Sequence, residues 1–290
     1  MKLTNKFNLP ETFVNVIRRP QYSRGDSQIS VTELLSPTQL VQLRAKHGSD
    51  ITSDVSEMIW SLFGTAIHNI LEHGKGDNHV VEERLHTELN DWKISGAIDL
   101  QEIEPDGIIV SDYKVTGAWS VMAEKEEWVS QLNMYAWLVE RCKGMPVKKI
   151  QIVAIVRDWQ AREVDRKEGY PQSPVAVLDI ELWPFEKREQ YVKERLEHHN
   201  DGFFAAGTGA KYPECTSAEM WEKQTVYAIK KKGAARAKHL YGDKEEAYGL
   251  LGDLGDAFEI EVREGERTRC EKYCPVSTFC DQFKQYKESK

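Results

Sequence analysis

Asp99, Asp112 and Lys114 together carry the acidic and basic groups of a cation-assisted hydrolytic site. Asp99 ends the run Ile94-Ser95-Gly96-Ala97-Ile98-Asp99. Asp112 and Lys114 lie in Ile108-Ile109-Val110-Ser111-Asp112-Tyr113-Lys114. Both runs are short, apolar and rich in β-branched residues, so they read as strands. Pro105-Asp106-Gly107 between them is turn chemistry. Residues i and i+2 of a strand project from one face, so Asp112 and Lys114 point the same way. An adjacent antiparallel strand can bring Asp99 beside them. Two carboxylates and an ammonium at a strand end are the parts of a metal-dependent site for phosphodiester cleavage. The carboxylates suit a hard cation. The cation would activate water, and the lysine would orient that water or stabilise charge on phosphate. Asp and Lys near hairpin turns are also common without any such role, so the company they keep matters.

Two helices must supply that company. Val55 to Glu72 carries apolar residues at helical spacing, with Asp54 as a cap and Gly74 as a terminator. Gly64, His68 and Glu72 are four apart and share a face. Gly64 permits close approach of a backbone or ligand. A neutral imidazole at His68 could complete the coordination of a cation held by Asp99 and Asp112. His68 reads equally as a core histidine on a half-buried helix. Glu127 to Glu140 reads as a second helix, with Gln131 and Tyr135 on one face beside the stripe Leu132, Ala136 and Val139. Gln131 and Tyr135 can donate to a phosphate or a water, or simply pack.

The order Gly-x-x-x-His-x-x-x-Glu, Gly-x-x-Asp, Asp-Tyr-Lys, Gln-x-x-x-Tyr resembles the RecB-like branch of the PD-(D/E)XK nuclease superfamily. That branch includes CRISPR-associated and AddB-type exonucleases. The resemblance covers roughly residues 30 to 140 strongly and the rest loosely. It implies that His68, Asp99, Asp112 and the Tyr113 carbonyl hold Mg²⁺ or Mn²⁺. It implies that Lys114 is the catalytic lysine and that Gln131 and Tyr135 border the site. Val115 stands where the family often has Thr directly after the lysine, with Thr116 next.

Cysteine is the second signal. Of five, Cys270, Cys274 and Cys280 cluster near the C-terminus, and Cys215 makes a fourth. No signal peptide opens the chain, so a reducing cytoplasm is expected and disulfides are disfavoured. Grouped thiols there suit Zn²⁺ or an iron–sulfur cluster. The spacing resembles the iron–sulfur tail of the same nucleases, which favours [4Fe–4S] with Zn²⁺ as the alternative. The pattern departs from those relatives in one respect: no cysteine precedes His68, and Cys215 follows the nuclease motifs. Cys142 reads as an ordinary buried or half-buried thiol.

Composition agrees. The 290 residues are 40% hydrophobic and 30% charged, as in a soluble globular protein able to bury a core. No apolar stretch approaches membrane-spanning length. The net charge of -8 argues against a general nucleic-acid coat but leaves room for a local basic surface, such as Lys230 to His239.

The expected organisation is an N-terminal arm over 1–29, a nuclease core over 30–206 and a cysteine-cluster subdomain over 207–290. Helices are expected over Ser30 to Lys46, in two pieces broken at Ser36-Pro37, and over Glu186 to His199. Strands are expected at Val80–Leu89, Asp91–Leu100, Ile108–Val115, Ile150–Val156 and Val175–Leu182, with an exposed loop at Asp158 to Ser173. Further on, Val226–Ile229 pairs with Phe258–Val262, and Ala234–His239 and Lys244–Leu251 are helical. The fold is then α/β, a central mixed sheet flanked by helices in a restriction-endonuclease-like core, with a C-terminal cysteine-rich subdomain. Trp60, Trp119 and Trp128 lie near the motifs and could stack bases, core packing being expected for at least two.

The resemblance implies an exonuclease on single-stranded or end-bearing DNA, in recombination, repair or phage DNA processing. A helicase or recombination partner would supply unwinding, since no helicase-type phosphate loop is present. The competing readings are a non-catalytic DNA-end or partner-binding module and a redox-sensing cluster protein.

Overall fold

The structure is a computed structural model that describes residues 2–19, 24–123 and 125–290. Residues 1 and 20–23 of the expected N-terminal arm lie outside the described residues. The chain divides into two compact units, Met1–Val41 with Thr52–Tyr212, and Gln42–Ile51 with Pro213–Lys290.

The first unit begins with β1 (Lys2–Thr4), α1 (Glu11–Arg18), β2 (Ile29–Ser30) and α2 (Val31–Leu35). A capping box of Ser30 and Glu33 starts α2, and the extended Ser36 before Pro37 separates it from α3 (Thr38–His47). β3 (Thr52–Asp54) pairs in parallel with β1. Asp54 and Glu57 form a second capping box on a short 3₁₀ turn that runs into α4 (Ile59–Glu72), so the expected cap acts one turn early. β4 (His79–Leu89), β5 (Trp92–Glu104) and β6 (Gly107–Thr116) follow as an antiparallel meander. Gly107 has φ +152°, and a side chain there would meet the Pro146 carbonyl at 2.8 Å, so the turn before β6 requires glycine. Next come α5 (Ala118–Met122), α6 (Glu126–Lys143), β7 (Val147–Val156), β8 (Val175–Ile180) and α7 (Phe185–Thr208). The sheet order is β2-β5-β6-β7-β8 with β4 on the other edge of β5. β2–β5 and β6–β7 are parallel and the other pairs antiparallel, so the sheet is mixed as expected.

α6 is the hub of the core. Acidic residues open it, basic ones close it, and Gly144 at φ +65° ends it. Leu132, Met134, Ala136, Trp137, Leu138 and Val139 are fully buried, in one cluster with Ile94, Ile98, Ile108, Val110, Ile150 and Ile152 of the sheet and Val192 and Leu196 of α7. Each large aliphatic side chain buried this way contributes about 1.5–3 kcal/mol. The packing is close enough that a methyl group on Gly96 would meet Leu138 Cδ2 at 2.9 Å and Tyr135 Cε1 at 3.2 Å.

The long strand β5 creates the opening for a site. One edge pairs with β4 over most of its length. On the other edge β2 pairs only at Ile94–Ser95 and β6 only from Leu100 onward. Residues 96–99 pair with neither, and Asp99 ends that gap.

The second unit holds β9 (Glu222–Lys223), β10 (Val226–Lys231), β11 (His239–Tyr241), α8 (Lys244–Leu254), β12 (Phe258–Arg263), β13 (Glu266–Arg267), α9 (Thr268–Lys272) and α10 (Asp281–Glu288). β10 pairs with β12, as expected, and also with β11. The helix expected at Ala234–His239 is absent. Gly233 adopts φ +79°, Lys238 N–H donates to the Ile229 carbonyl, and the segment turns back as a hairpin. The strand pairing thus overrides a helical run of alanine and lysine. Asp158 to Ser173 is largely exposed but is anchored by the buried Tyr170, whose hydroxyl accepts from Gln160 N–H. Among the described residues no helix is long and apolar enough to cross a membrane.

Candidate active site

The site is built where β5 and β6 part. The last regular pair is Leu100–Ser111. One residue further, the Asp99 carboxylate accepts the Tyr113 N–H at 2.8 Å, in place of a ladder bond. Asp112 and Lys114 project from the freed end of β6. Lys114 Nζ lies 2.6 Å from Asp112 Oδ2. Gln131 on α6 donates from Nε2 to Asp112 Oδ1 at 3.2 Å and to the Tyr135 hydroxyl at 3.0 Å. α4 brings His68 in from the other side. Its Nε2 is 3.2 Å from the Tyr113 carbonyl and its Nδ1 is 3.2 Å from Glu82 Oε1 and 3.6 Å from Asp99 Oδ1. His68, Asp99, Asp112, Tyr113, Lys114, Gln131 and Tyr135 therefore line one cavity of about 470 Å³.

Glu82 and Arg84 of β4 line the same cavity and were not singled out by sequence reasoning. Val81 pairs with Leu100 and Glu83 with Ile98, so Glu82 stands across from Asp99. Its φ is +48°, a left-handed conformation that costs about 1–3 kcal/mol for a residue with a side chain. The available signal was its alternation with Arg84 on a strand preceding Asp99, too common a pattern to single out. Glu72 is exposed and is absent from the cavity lining.

The electrostatics suit a cation. Burial, followed by the facing Asp112 carboxylate, raises the Asp99 pKa, and the His68 charge only partly opposes this. The Glu82 hydrogen bond raises the His68 pKa despite partial burial. One oxygen each of Glu82 and Asp99 and one ring nitrogen of His68 lie within 4.8 Å of one another. This is a set of hard oxygens plus an imidazole, and the Tyr113 carbonyl adds an oxygen beside it. A divalent cation among them would offset the carboxylate repulsion. The residues fit Mg²⁺ or Mn²⁺.

The tryptophans separate. Trp128 is 7% exposed and packs in the core, with Lys125 over its ring. Trp60 and Trp119 are exposed, against the expectation that at least two would be core. In the basic run, Lys230 is ion-paired with Glu261 at 2.7 Å, while Lys231, Lys232, Arg236 and Lys238 are exposed.

In the second unit Cys215, Cys270, Cys274 and Cys280 carry free thiols. Burial pushes the Cys215 thiol up to about 12 and Cys270 up to about 11, and both are raised further by neighbouring cysteines. Cys215 is held by a pair of hydrogen bonds, its N–H donating to Gln282 Oε1 and its carbonyl accepting from Gln282 Nε2, 2.9 Å each. Among the described residues no three of the sulfurs lie within 4.8 Å of one another. Cys142 is exposed rather than buried, its thiol donating to the His86 carbonyl at 3.2 Å. The reason is its place in the last, outward turn of α6.

A family model described as the PD-(D/E)XK nuclease superfamily matches residues 65–281. No curated protein matches. Among solved structures, the chain is similar to the crystal structure of SSO0001, with 17% identity and a TM-score of 0.44 over 64% of this chain and 82% of that one. It is also similar to a chain from Eubacterium rectale provisionally named an exonuclease, with 12% identity and a TM-score of 0.29 over 70% of this chain and 75% of that one. Likenesses this distant carry no argument about chemistry. The family match spans well over half of the chain and runs through every cavity residue from Thr65 to Tyr135, and the chain belongs to the PD-(D/E)XK nuclease superfamily.

Proposed function

We propose that this chain is a metal-dependent DNA exonuclease of the RecB-like branch, acting on single-stranded or end-bearing DNA. Recombination, repair or phage DNA processing is the setting, with a helicase or recombination partner supplying any unwinding. The observation that carries this reading is the convergence of His68, Asp99, Asp112, Lys114, Gln131 and Tyr135 on one cavity. The order of the motifs supports the branch.

His68, Asp99, Asp112 and the Tyr113 carbonyl would hold Mg²⁺ or Mn²⁺, with Glu82 orienting His68 through Nδ1. When bound, the cation lowers the pKa of water and compensates phosphate charge. Hydrolysis adds water across one P–O bond, leaving a phosphate monoester and a hydroxyl. Lys114 reaches the cavity with its ammonium anchored on Asp112, where it can orient the water or donate to a phosphate oxygen as charge builds. Gln131 fixes the Asp112 carboxylate and ties it to Tyr135, so α6 holds the register of the catalytic strand.

A [4Fe–4S] cluster on Cys215, Cys270, Cys274 and Cys280 belongs to the same reading. The gathering of four free thiols in one unit supports it. Zn²⁺ is the alternative, and would have to draw the sulfurs to about 4 Å apart. Iron, sulfide and zinc analysis of the anaerobically purified protein separates the two.

The decisive experiment is cleavage of end-labelled linear and circular single-stranded DNA with Mg²⁺ or Mn²⁺. Wild type is compared with Asp112→Ala and Lys114→Ala. Degradation of the linear strand alone, lost in both variants, is the expected result. Absence of cleavage by metal-loaded wild type would replace the enzyme with a binding module.

A further inference from the structure

Trp60, Gly64 and His68 lie four residues apart on α4, so they form one row along a single helix face. His68 and Gly64 line the cavity. A methyl group added to Gly64 would meet nothing within 4 Å, so the helix is bare between the two aromatic rings. At the far end of the row, eight residues or about 12 Å from His68, Trp60 keeps 57% of its surface exposed. The Arg157 guanidinium sits 4.4 Å from the centre of its ring. Arg157 is tied to the catalytic strand, because its backbone N–H donates to the Thr116 carbonyl at 2.9 Å. Among the described residues no carboxylate pairs with the Arg157 side chain.

A large exposed indole beside a cavity lies idle in an isolated protein, and burial would be its ordinary state. Here it is joined to a cation that no carboxylate among the described residues pairs with, and to a strip of bare helix leading to a carboxylate site. Aromatic faces beside arginine are the usual platform for unpaired bases, because every base has a π-face and every nucleotide a phosphate. A duplex hides its base faces in the stack and offers the indole nothing of that kind.

We propose that Trp60 and Arg157 form a stacking subsite for an unpaired nucleobase of a strand whose backbone crosses Gly64 into the cavity. Trp60 takes the base, and Arg157 holds the ring and meets the adjacent phosphate. The substrate class is therefore single-stranded nucleic acid or a frayed end. This rests on the nuclease reading for the direction of the strand, but not for the stacking itself.

The test is binding of a fluorescein-labelled oligothymidylate of about 12 nucleotides, and of a blunt hairpin duplex, to the full chain in a chelating buffer that prevents cleavage. Trp60→Ala should weaken single-strand binding about 5- to 100-fold, Trp60→Phe should restore most of it, and duplex binding should change less than about twofold. Gly64→Leu, whose side chain points into open space, should weaken the same binding by blocking the path. It also keeps the test valid if Trp60→Ala does not fold. Unchanged single-strand binding by the folded variants overturns the proposal, as does equal loss on both probes. Cleavage with Mg²⁺ is scored separately. Wild-type cleavage with unchanged variant binding refutes the subsite alone. Variant-sensitive binding without any wild-type cleavage refutes the nuclease reading alone.

Discussion

The oxygen-rich cavity of the first unit and the sulfur group of the second are built in opposite ways. In the cavity, ligand-type residues come from α4, β4, β5 and β6, and each is held by a backbone element or by a partner side chain. In the second unit, three of four cysteines fall within eleven residues, between and at the ends of short elements, and only Cys215 is brought from afar. The two sites should therefore resist disturbance differently. The cavity is preorganised by the sheet and α6, so cation loss should leave it folded. Only Cys270 lies in a helix, the five-residue α9, and the other three lie in irregular backbone, so whatever the thiols hold should also hold the unit together.

Substitutions in the cavity should separate activity from stability. Asp112→Ala or Lys114→Ala should lower the cleavage rate about 10²- to 10⁴-fold while the thermal melt stays near that of wild type. A large drop in melting temperature would show that the cavity is a structural ion-pair network instead. Next, on the proposed iron–sulfur reading, Cys274→Ser should abolish visible absorbance and lower the melting temperature of the second unit by many degrees. Cys142→Ser, exposed and hydrogen-bonded only to a carbonyl, should do neither.

Glu82→Gln sharpens the picture of the cavity. It removes the charge that holds His68 Nδ1, and should weaken Mn²⁺ affinity about 10- to 100-fold, read by calorimetric titration. Gly96→Ala tests the packing beneath the site. The clash with Leu138 and Tyr135 should cost about 1–3 kcal/mol in denaturant unfolding and reduce cleavage through the Tyr135–Gln131 contact.

The smallest effect concerns pH in the second unit. Lys223, then Lys272 and Thr268, hold the Glu266 pKa down to about 2 from an ordinary 4.5. A depressed carboxylate contributes stability fully above pH 4.5 and loses it as pH falls toward 2. Glu266→Gln should therefore melt slightly earlier than wild type at pH 7, with the gap closing across that window. A gap that persists at pH 2 would mean that the effect is not electrostatic.

Much of this was legible because the periods of strands and helices are rigid. Asp112 and Lys114 share a strand face by i, i+2 spacing, and Gln131 and Tyr135 share a helix face by i, i+4 spacing, whatever the rest of the chain does. The mixed sheet and most of its strand limits followed from the same periodicities. Local propensity served at Lys244–Leu251, which lies in α8, and failed in one place. Ala234 to His239 is helical in composition, yet cross-strand pairing with β10 and the left-handed Gly233 made it a hairpin. At least two of Trp60, Trp119 and Trp128 were expected inside, and only Trp128 is, in the core cluster around α6.

The catalytic-type strand, the helix that braces it and the tight cysteine group can be read from the chain alone, since each depends on residues close in sequence. Tertiary structure alone decided that β5 is left unpaired over residues 96–99, that Glu82 takes a left-handed backbone across from Asp99, and that Arg157 lies over Trp60. It also decided that residues 42–51 join the cysteine unit. These features arise from strand register and from contacts between segments far apart in sequence, and no local period encodes them.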